Sequence, residues 1–274
     1  MRKSLLSIIA LLAFGALAQS QVKSTTAAQA YYDTFSERWL NPDKWEPIGP
    51  FCAQGLTLEC VREIQNGQLR LALRNMGDRG SDSGGQYSDS QLYFTNPDAI
   101  QSITADVTLR QAQLVACPTN TDLATRAIAR INGTFFNTGS GDPADDVADS
   151  VFLYTDTATP GTISVVNWFC SANGPCYGIE VARYPVGTPL TVTNAWDKAN
   201  HRFVSTVKAK GEEVGPGKTG VLSYSVSDTT PPTYVERDLN VTVTTPNCTS
   251  TRTFAHAEAL FDNVMINATP KSAE

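Results

Sequence analysis

The chain is expected to fold as an all-β protein, two antiparallel sheets packed face to face in a single domain, and three observations carry that expectation. Short Val/Ile/Thr/aromatic runs alternate with Gly, Pro, Asn and Asp along nearly the whole length, which is the punctuation of strands and turns. No stretch of the mature part shows the 3.6-residue apolar period of an amphipathic helix of about three turns. The strand candidates outnumber what one open sheet holds comfortably, so two packed sheets are the economical solution.

Residues 1–18 read as an export leader: Arg2 and Lys3 precede an apolar run from Leu5 to Phe14, and Ala16-Leu17-Ala18 offers a small-residue cleavage site. Residues 19–30 form a linker, 31–267 the sandwich and 268–274 a polar tail. The leader's apolar run is shorter than the roughly 18 residues that a membrane-crossing helix requires, and no later run reaches that length. A secreted protein, extracellular or periplasmic, with no membrane span is therefore expected.

The stretch Y-Y-D-T-F-S-E-R-W-L-N-P-D-K-W, residues 31–45, opens as a strand with Phe35 facing inward. Asn41-Pro42-Asp43 suits a turn, and Trp39 and Trp45 on either side of it are expected to anchor one end of the sandwich. Residues 61–65 and 68–74 flank Asn66-Gly67, the dipeptide of a type I′ hairpin turn. Leu69, Leu71 and Leu73 then share one strand face, which must be the inner one.

The same alternation recurs at 104–110, where Ala105, Val107 and Leu109 oppose Asp106, Thr108 and Arg110, and at 126–133, where Ala127, Ala129 and Ile131 oppose Arg126, Arg130 and Asn132. Further strands are expected at 151–155, 162–169, 177–184, 188–193, 201–208, 219–226, 233–245 and 257–266. The Gly/Asp-rich segments 75–85 and 137–149 read as loops. Residues 211–219 come near a phosphate-binding loop, but the first Gly is misplaced by one position and no helix pattern follows, so a turn is the better reading.

Six cysteines, an even number in an oxidising compartment, imply three disulfides. The short separations favour Cys52 with Cys60 and Cys170 with Cys176, which leaves Cys117 for Cys248. The formal charge of −6 becomes −8 once Arg2 and Lys3 leave with the leader, and no basic run is present. That balance argues against nucleic acid and anionic lipid as partners. Asn132, Asn240, Asn247 and Asn267 begin glycosylation sequons, which matter only in a host that uses them.

Three stretches carry a family resemblance. D-T-F-S-E-R-W-L-N-P-D-K-W resembles the first strand and turn of the concanavalin A-like lectin/glucanase superfamily. Residues 190–203 resemble two adjacent strands that bacterial members join by a short polar turn, and F-D-N-V at 261–264 resembles their closing strand. The resemblance implies a jelly-roll sandwich whose first and last strands lie side by side and whose concave polar sheet carries any ligand. It also implies a structural Ca²⁺ near the chain ends, for which Asp33 and Asp262 are the matching acids. The loop acids Asp142, Asp145, Asp146 and Asp149 are a rival cluster, read first as solvated.

Glucanases of that superfamily carry E-x-D-x-x-E or a close variant on one strand, where the period of two puts the acids on one face. This chain has Glu236-Arg237-Asp238 followed by Leu239, Asn240 and Val241, with no third acid, and reads as a solvated edge strand. The Arg, Gln, His and Tyr pattern of alginate-lyase-type members is not recognisable. A non-standard pair, Asp106 with Glu180, is the runner-up catalytic set. Nucleophile-elbow and zinc-protease motifs are absent, and His201 and His256 read as strand residues.

Sugar rings stack their C–H faces on aromatic side chains while polar groups bond the hydroxyls. Trp168 follows Thr162, Ser164 and Val166 on one strand face, and either presents a platform or packs under the loop closed by Cys170 and Cys176. Tyr177, Arg126, Arg130 and Asp106 are the candidate neighbours. The expected function is a secreted glycan-binding sandwich without a recognisable catalytic motif. The alternatives are a glycan-active hydrolase or lyase with an unusual acid pair, and a structural envelope or matrix protein.

Overall fold

The computed structural model describes residues 30–46, 56–171, 176–212 and 217–267. The expected leader, most of the expected linker, the expected tail and Cys52 lie outside the described residues. Strands are numbered in chain order. The front sheet runs, edge to edge, β1 (Trp45–Glu46), β4 (Gly85–Phe94), β13 (Arg237–Pro246), β6 (Arg126–Asn137), β7 (Asp146–Asp156), β8 (Thr162–Ser171) and β9 (Tyr177–Pro185). The back sheet runs β12 (Lys218–Ser223), β11 (Arg202–Ala209), β10 (Leu190–Asp197), β5 (Ser102–Val115), β14 (Phe254–Ile266), β3 (Gln68–Met76) and β2 (Leu56–Gln65). Neighbours within each sheet are antiparallel, and the whole is an all-β jelly-roll sandwich.

The local reasons are the expected ones in most places. Asn66 and Gly67 take φ of 53° and 74°, the left-handed pair that a type I′ turn needs to close β2 onto β3. Leu69, Leu71 and Leu73 of β3 and Ala105, Val107 and Leu109 of β5 are buried, as are Ala127, Ala129 and Ile131 of β6. Cys117–Cys248 and Cys170–Cys176 are bonded as the spacing suggests; Cys60 is also disulfide-bonded.

The N-terminal stretch differs from expectation. Its pairing with β14 is a single bridge, Asp33 to Val264, because Phe35 takes φ of 48° and turns the chain inward. Phe35 stacks on Trp45 at 5.5 Å, and the Trp45 indole donates to Asp33 Oδ2 at 2.7 Å. Trp45 is thus an anchor, whereas Trp39 is 69% exposed with Arg38 over its ring, outside the turn that buries Phe35. Strand β4 was not expected, since Ser88 and Ser90 occupy its inward positions. His201 is not a strand residue but turns the chain before β11 with φ of 49°.

The core has two apolar parts. The larger fills most of the sandwich, and a smaller aromatic group of Phe135, Phe136, Phe169, Phe203 and Tyr224 closes one end. Between them lies a row of buried polar side chains: Asp149, Asn167, Asn194 and Ser205.

Candidate functional site

Each front-sheet strand sends alternate side chains into the core and the others outward. In β13, Leu239, Val241 and Val243 point inward, so Asp238 and Asn240 face outward. The register then sets their neighbours. Asp238 stands opposite Tyr93 of β4 on one side and Asn132 of β6 on the other, and Asn240 stands between Gln91 and Arg130. Asn132 in turn opposes Ser150 of β7, and Arg130 opposes Phe152.

The polar groups form a connected floor. Ser150 donates to Asn132 Oδ1 at 2.5 Å, and the Asn132 amide donates to Asp238 Oδ2 at 2.8 Å. The Tyr93 hydroxyl donates to Gln91. Glu236, one residue before β13, brings its carboxyl against Asp238. Burial first, and then the Asp238 charge, push the Glu236 carboxyl up to about 8, while Arg130 and the Tyr93 hydroxyl pull the other way. Burial also raises Asp89, with Arg130 opposing. Arg130 Nε is buried without a hydrogen-bond partner, and among the described residues the Glu236 carboxyl is the one acid that offers Asp238 a further hydrogen bond.

Glu236-Arg237-Asp238 is therefore not a solvated edge. β13 lies between β4 and β6, and Asp238 is fully buried. Outward alternation of polar residues looks the same along the chain whether the face meets open solvent or forms a crowded polar surface. The third position on that face is Asn240, so the glucanase triad remains incomplete. Asn132 and Asn240 are both buried here, which closes their sequons to modification in the folded chain.

An aromatic platform adjoins the floor. Trp168 lies beside Phe152 with ring centroids 5.9 Å apart and planes 18° from parallel, and the Arg130 guanidinium sits 5.9 Å from the Phe152 centroid. A Cβ on Gly178 would come within 2.6 Å of Trp168 Cε3, so the glycine lets the indole lie across β9. The indole N–H reaches Cys170 Sγ at 3.0 Å, so Trp168 packs against the Cys170–Cys176 disulfide. Arg126 continues the face, 5.8 Å from the Tyr154 ring.

The remaining sequence-derived candidates lie elsewhere. Tyr177 pairs with the inward Phe169 and its hydroxyl donates to Ser223 O at 3.4 Å, so it bridges the sheets at their edge. Asp106 is on the outer face of the back sheet, where Thr191, Asn263 and Lys210 bond its carboxylate at 2.6, 2.6 and 2.8 Å. Glu180 belongs to β9 of the front sheet and pairs with Arg183 at 2.7 Å. Asp106 and Glu180 thus sit on different sheets and cannot flank one glycosidic bond; alternation along a strand gives a residue's face but not its sheet.

The chain-end acids do not fit a calcium ion. Asp33 accepts from Phe35 N and the Trp45 indole, with the Lys44 ammonium at 3.9 Å, a set of donors and a cation in place of further oxygens. Asp262 stands opposite Asp106 and takes Asn263 N at 2.7 Å. The loop acids also diverge: Asp142 caps Ala144, Asp146 binds Thr233 and Tyr234, and Asp149 points into the core. Among the described residues, Asp82, Cys117 and Cys248 approach one another as a metal group would, but both sulfurs are in a disulfide.

A concavity of about 320 Å³ opens at the aromatic end, lined by Phe135, Phe136, Trp196, Lys198, Asp228 and Arg237 among others. Beside it the Trp196 indole donates to Tyr224, Tyr224 to Asp228, and His201 Nδ1 lies 3.1 Å from the same carboxylate. No sequence signal marked this group, whose members are separated in the chain.

No protein-family model matches the chain, and no curated protein matches it in sequence. Among solved structures, a β-glucanase of Bacillus licheniformis is similar over 87% of this chain and 99% of its own, at 10% identity and a TM-score of 0.44. A PL-14 alginate lyase from Aplysia kurodai covers 73% of this chain and 83% of its own, at 13% identity and a TM-score of 0.39. The lectin UEA-II, in complex with galactose, covers 82% of this chain and 97% of its own, at 9% identity and a TM-score of 0.35.

Proposed function

We propose that the chain is a secreted glycan-binding protein whose site is the outer face of the front sheet. The observation that supports this reading is the adjacency of a flat aromatic surface, Phe152 and Trp168, to a polar floor of Arg130, Asn132, Asp238 and Tyr93. Such a pairing matches the two faces of a sugar ring, apolar C–H groups for stacking and hydroxyls for hydrogen bonds. The ligand class is a neutral polysaccharide, since the carboxyl pair disfavours a polyanion and Arg130 is flanked by Asp89 and Glu236.

Hydrolysis is the second reading, favoured by the raised Glu236 carboxyl, because a carboxylic acid protonated near neutral pH is what a glycosidic proton donor requires. Retention on a panel of immobilised neutral polysaccharides separates the two. Binding without new reducing ends, weakened about tenfold by Trp168→Ala, is the expected result. Release of reducing ends that Glu236→Gln abolishes would replace the first reading by the second. A panel showing neither retention nor new reducing ends on any member would refute both.

A further inference from the structure

The row of polar side chains inside the sandwich has a regular origin. Asp149 lies between Val147 and Val151 of β7, Asn167 between Val165 and Phe169 of β8, Asn194 between Val192 and Trp196 of β10, and Ser205 between Phe203 and Val207 of β11. Each takes an inward position of its strand, and each is at most 1% exposed. Asn194 and Ser205 are directly opposed, and Asp149 and Asn167 are diagonal neighbours on one face. The two halves meet where the Asn194 amide donates to the Asp149 backbone carbonyl at 3.1 Å. The layer therefore crosses both sheets and separates the two apolar clusters.

Its hydrogen bonding is unbalanced. Asn167 Oδ1 and Asn194 Oδ1 are buried acceptors without a donor, and neither Asp149 oxygen has a close one, the Asn194 amide being the one side chain among the described residues that offers the carboxylate a hydrogen; the one unpartnered donor of the layer is Asn167 Nδ2. Among the described residues no Lys, Arg or His pairs with Asp149. A buried carboxylate with no counter-charge is strongly unfavourable, and water, which must donate and accept, answers an excess of acceptors less well than a cation does. Asn194 is held in the orientation that leaves its oxygen free, because its nitrogen is bonded to a carbonyl.

We propose that this layer is an internal binding site for a hard cation of the calcium class, held between the sheets by the Asp149 carboxylate and the amide oxygens of Asn167 and Asn194. All the donors are oxygens, which excludes a preference for zinc or copper. Calcium accepts irregular oxygen sets completed by a few waters, whereas magnesium demands near-octahedral geometry and gives up its waters reluctantly. The site differs from the chain-end pair Asp33 and Asp262 in ligands and in place, and it does not depend on any glycan reading.

The test uses the purified full chain after dialysis against EGTA, with metal content by mass spectrometry and thermal unfolding with and without calcium chloride. The expected result is one calcium retained per chain before chelation, and a Tm rise of about 5–10 °C on adding calcium at roughly a hundredfold excess over Kd. Asp149→Asn should retain no metal and show no response. Asn167→Ser and Asn194→Ser keep the charge and should weaken calcium affinity at least about tenfold, which keeps the test informative if Asp149→Asn does not fold. A wild-type chain without metal and indifferent to EGTA would overturn the proposal in favour of waters around a neutral Asp149. An unchanged calcium response in Asp149→Asn, or in both serine variants, would overturn it by placing the ion elsewhere.

Discussion

Glu236→Gln tests whether the carboxyl pair on the front sheet is what the geometry makes it. In the folded chain burial and the Asp238 charge raise the Glu236 carboxyl from 4.5 to about 8. A group whose folded value is raised contributes stability that is fully present below its unfolded value and is lost as pH rises through the folded one. The window here is therefore pH 4.5 to about 8. Complete burial would make the loss about 5 kcal/mol across that window. Glu236 is only part-buried, so solvent screening reduces the expected loss to about 2 kcal/mol, nearly all of it in the lower half of that window.

Glutamine keeps the shape and the donor of the protonated acid but cannot ionise. The variant should match the wild type in stability at pH 4 and exceed it by about 2 kcal/mol at pH 9, or about 4–8 °C in Tm for a chain of this size. Urea or thermal unfolding of both proteins at half-unit steps from pH 4 to 9 reads this directly, since other titrating groups cancel in the difference. Parallel stability curves would refute the reasoning, because they would mean that Glu236 ionises alike in folded and unfolded chains.

Three further outcomes follow from the fold. Replacing Cys117 and Cys248 by serine opens a loop of sequence separation 131 and should cost about 5 kcal/mol by chain entropy, against about 2 kcal/mol for Cys170 and Cys176 with separation 6; unfolding of both pairs of variants checks the order. Trp45→Phe removes the indole bond to Asp33 and should cost about 1–3 kcal/mol in urea unfolding. Gly178→Ala should displace the Trp168 ring and lower polysaccharide retention about fivefold with little change in Tm, measured on the same immobilised panel.

What could be read from the chain was local. Asn66-Gly67 specifies its hairpin by backbone conformation alone, and the inward Leu, Val and Ala positions of β3, β5 and β6 follow from a period of two. What could not be read was the environment of the polar positions. Asp238 and Arg110 are both outward residues of strands inside their sheets, yet Asp238 is fully buried and Arg110 is exposed, because Asp238 is paired on both sides whereas Arg110 lies beyond the end of β10 and at the bulge of β5 against β14. Ser88 and Ser90 hid β4, and with it Gln91 and Tyr93, since small polar residues at inward positions carry no hydrophobic signal. Arg126 and Arg130 point outward from β6 and Trp168 outward from β8, as each strand's own alternation requires. Asp106 and Glu180 required sheet membership, which is a property of the whole topology.

Strand β7 joins the two polar regions through the same alternation. Asp149 points inward to the layer and Ser150 outward to the floor, where it orients Asn132 and through it Asp238. Asn194 holds the Asp149 backbone from the opposite sheet, so the layer and the floor share one strand while their side chains leave it on opposite faces. That division keeps the two sites separable: Glu236→Gln and Trp168→Ala act on the outer face and should leave calcium retention intact, whereas Asn167→Ser touches no group of the floor and should change metal affinity first.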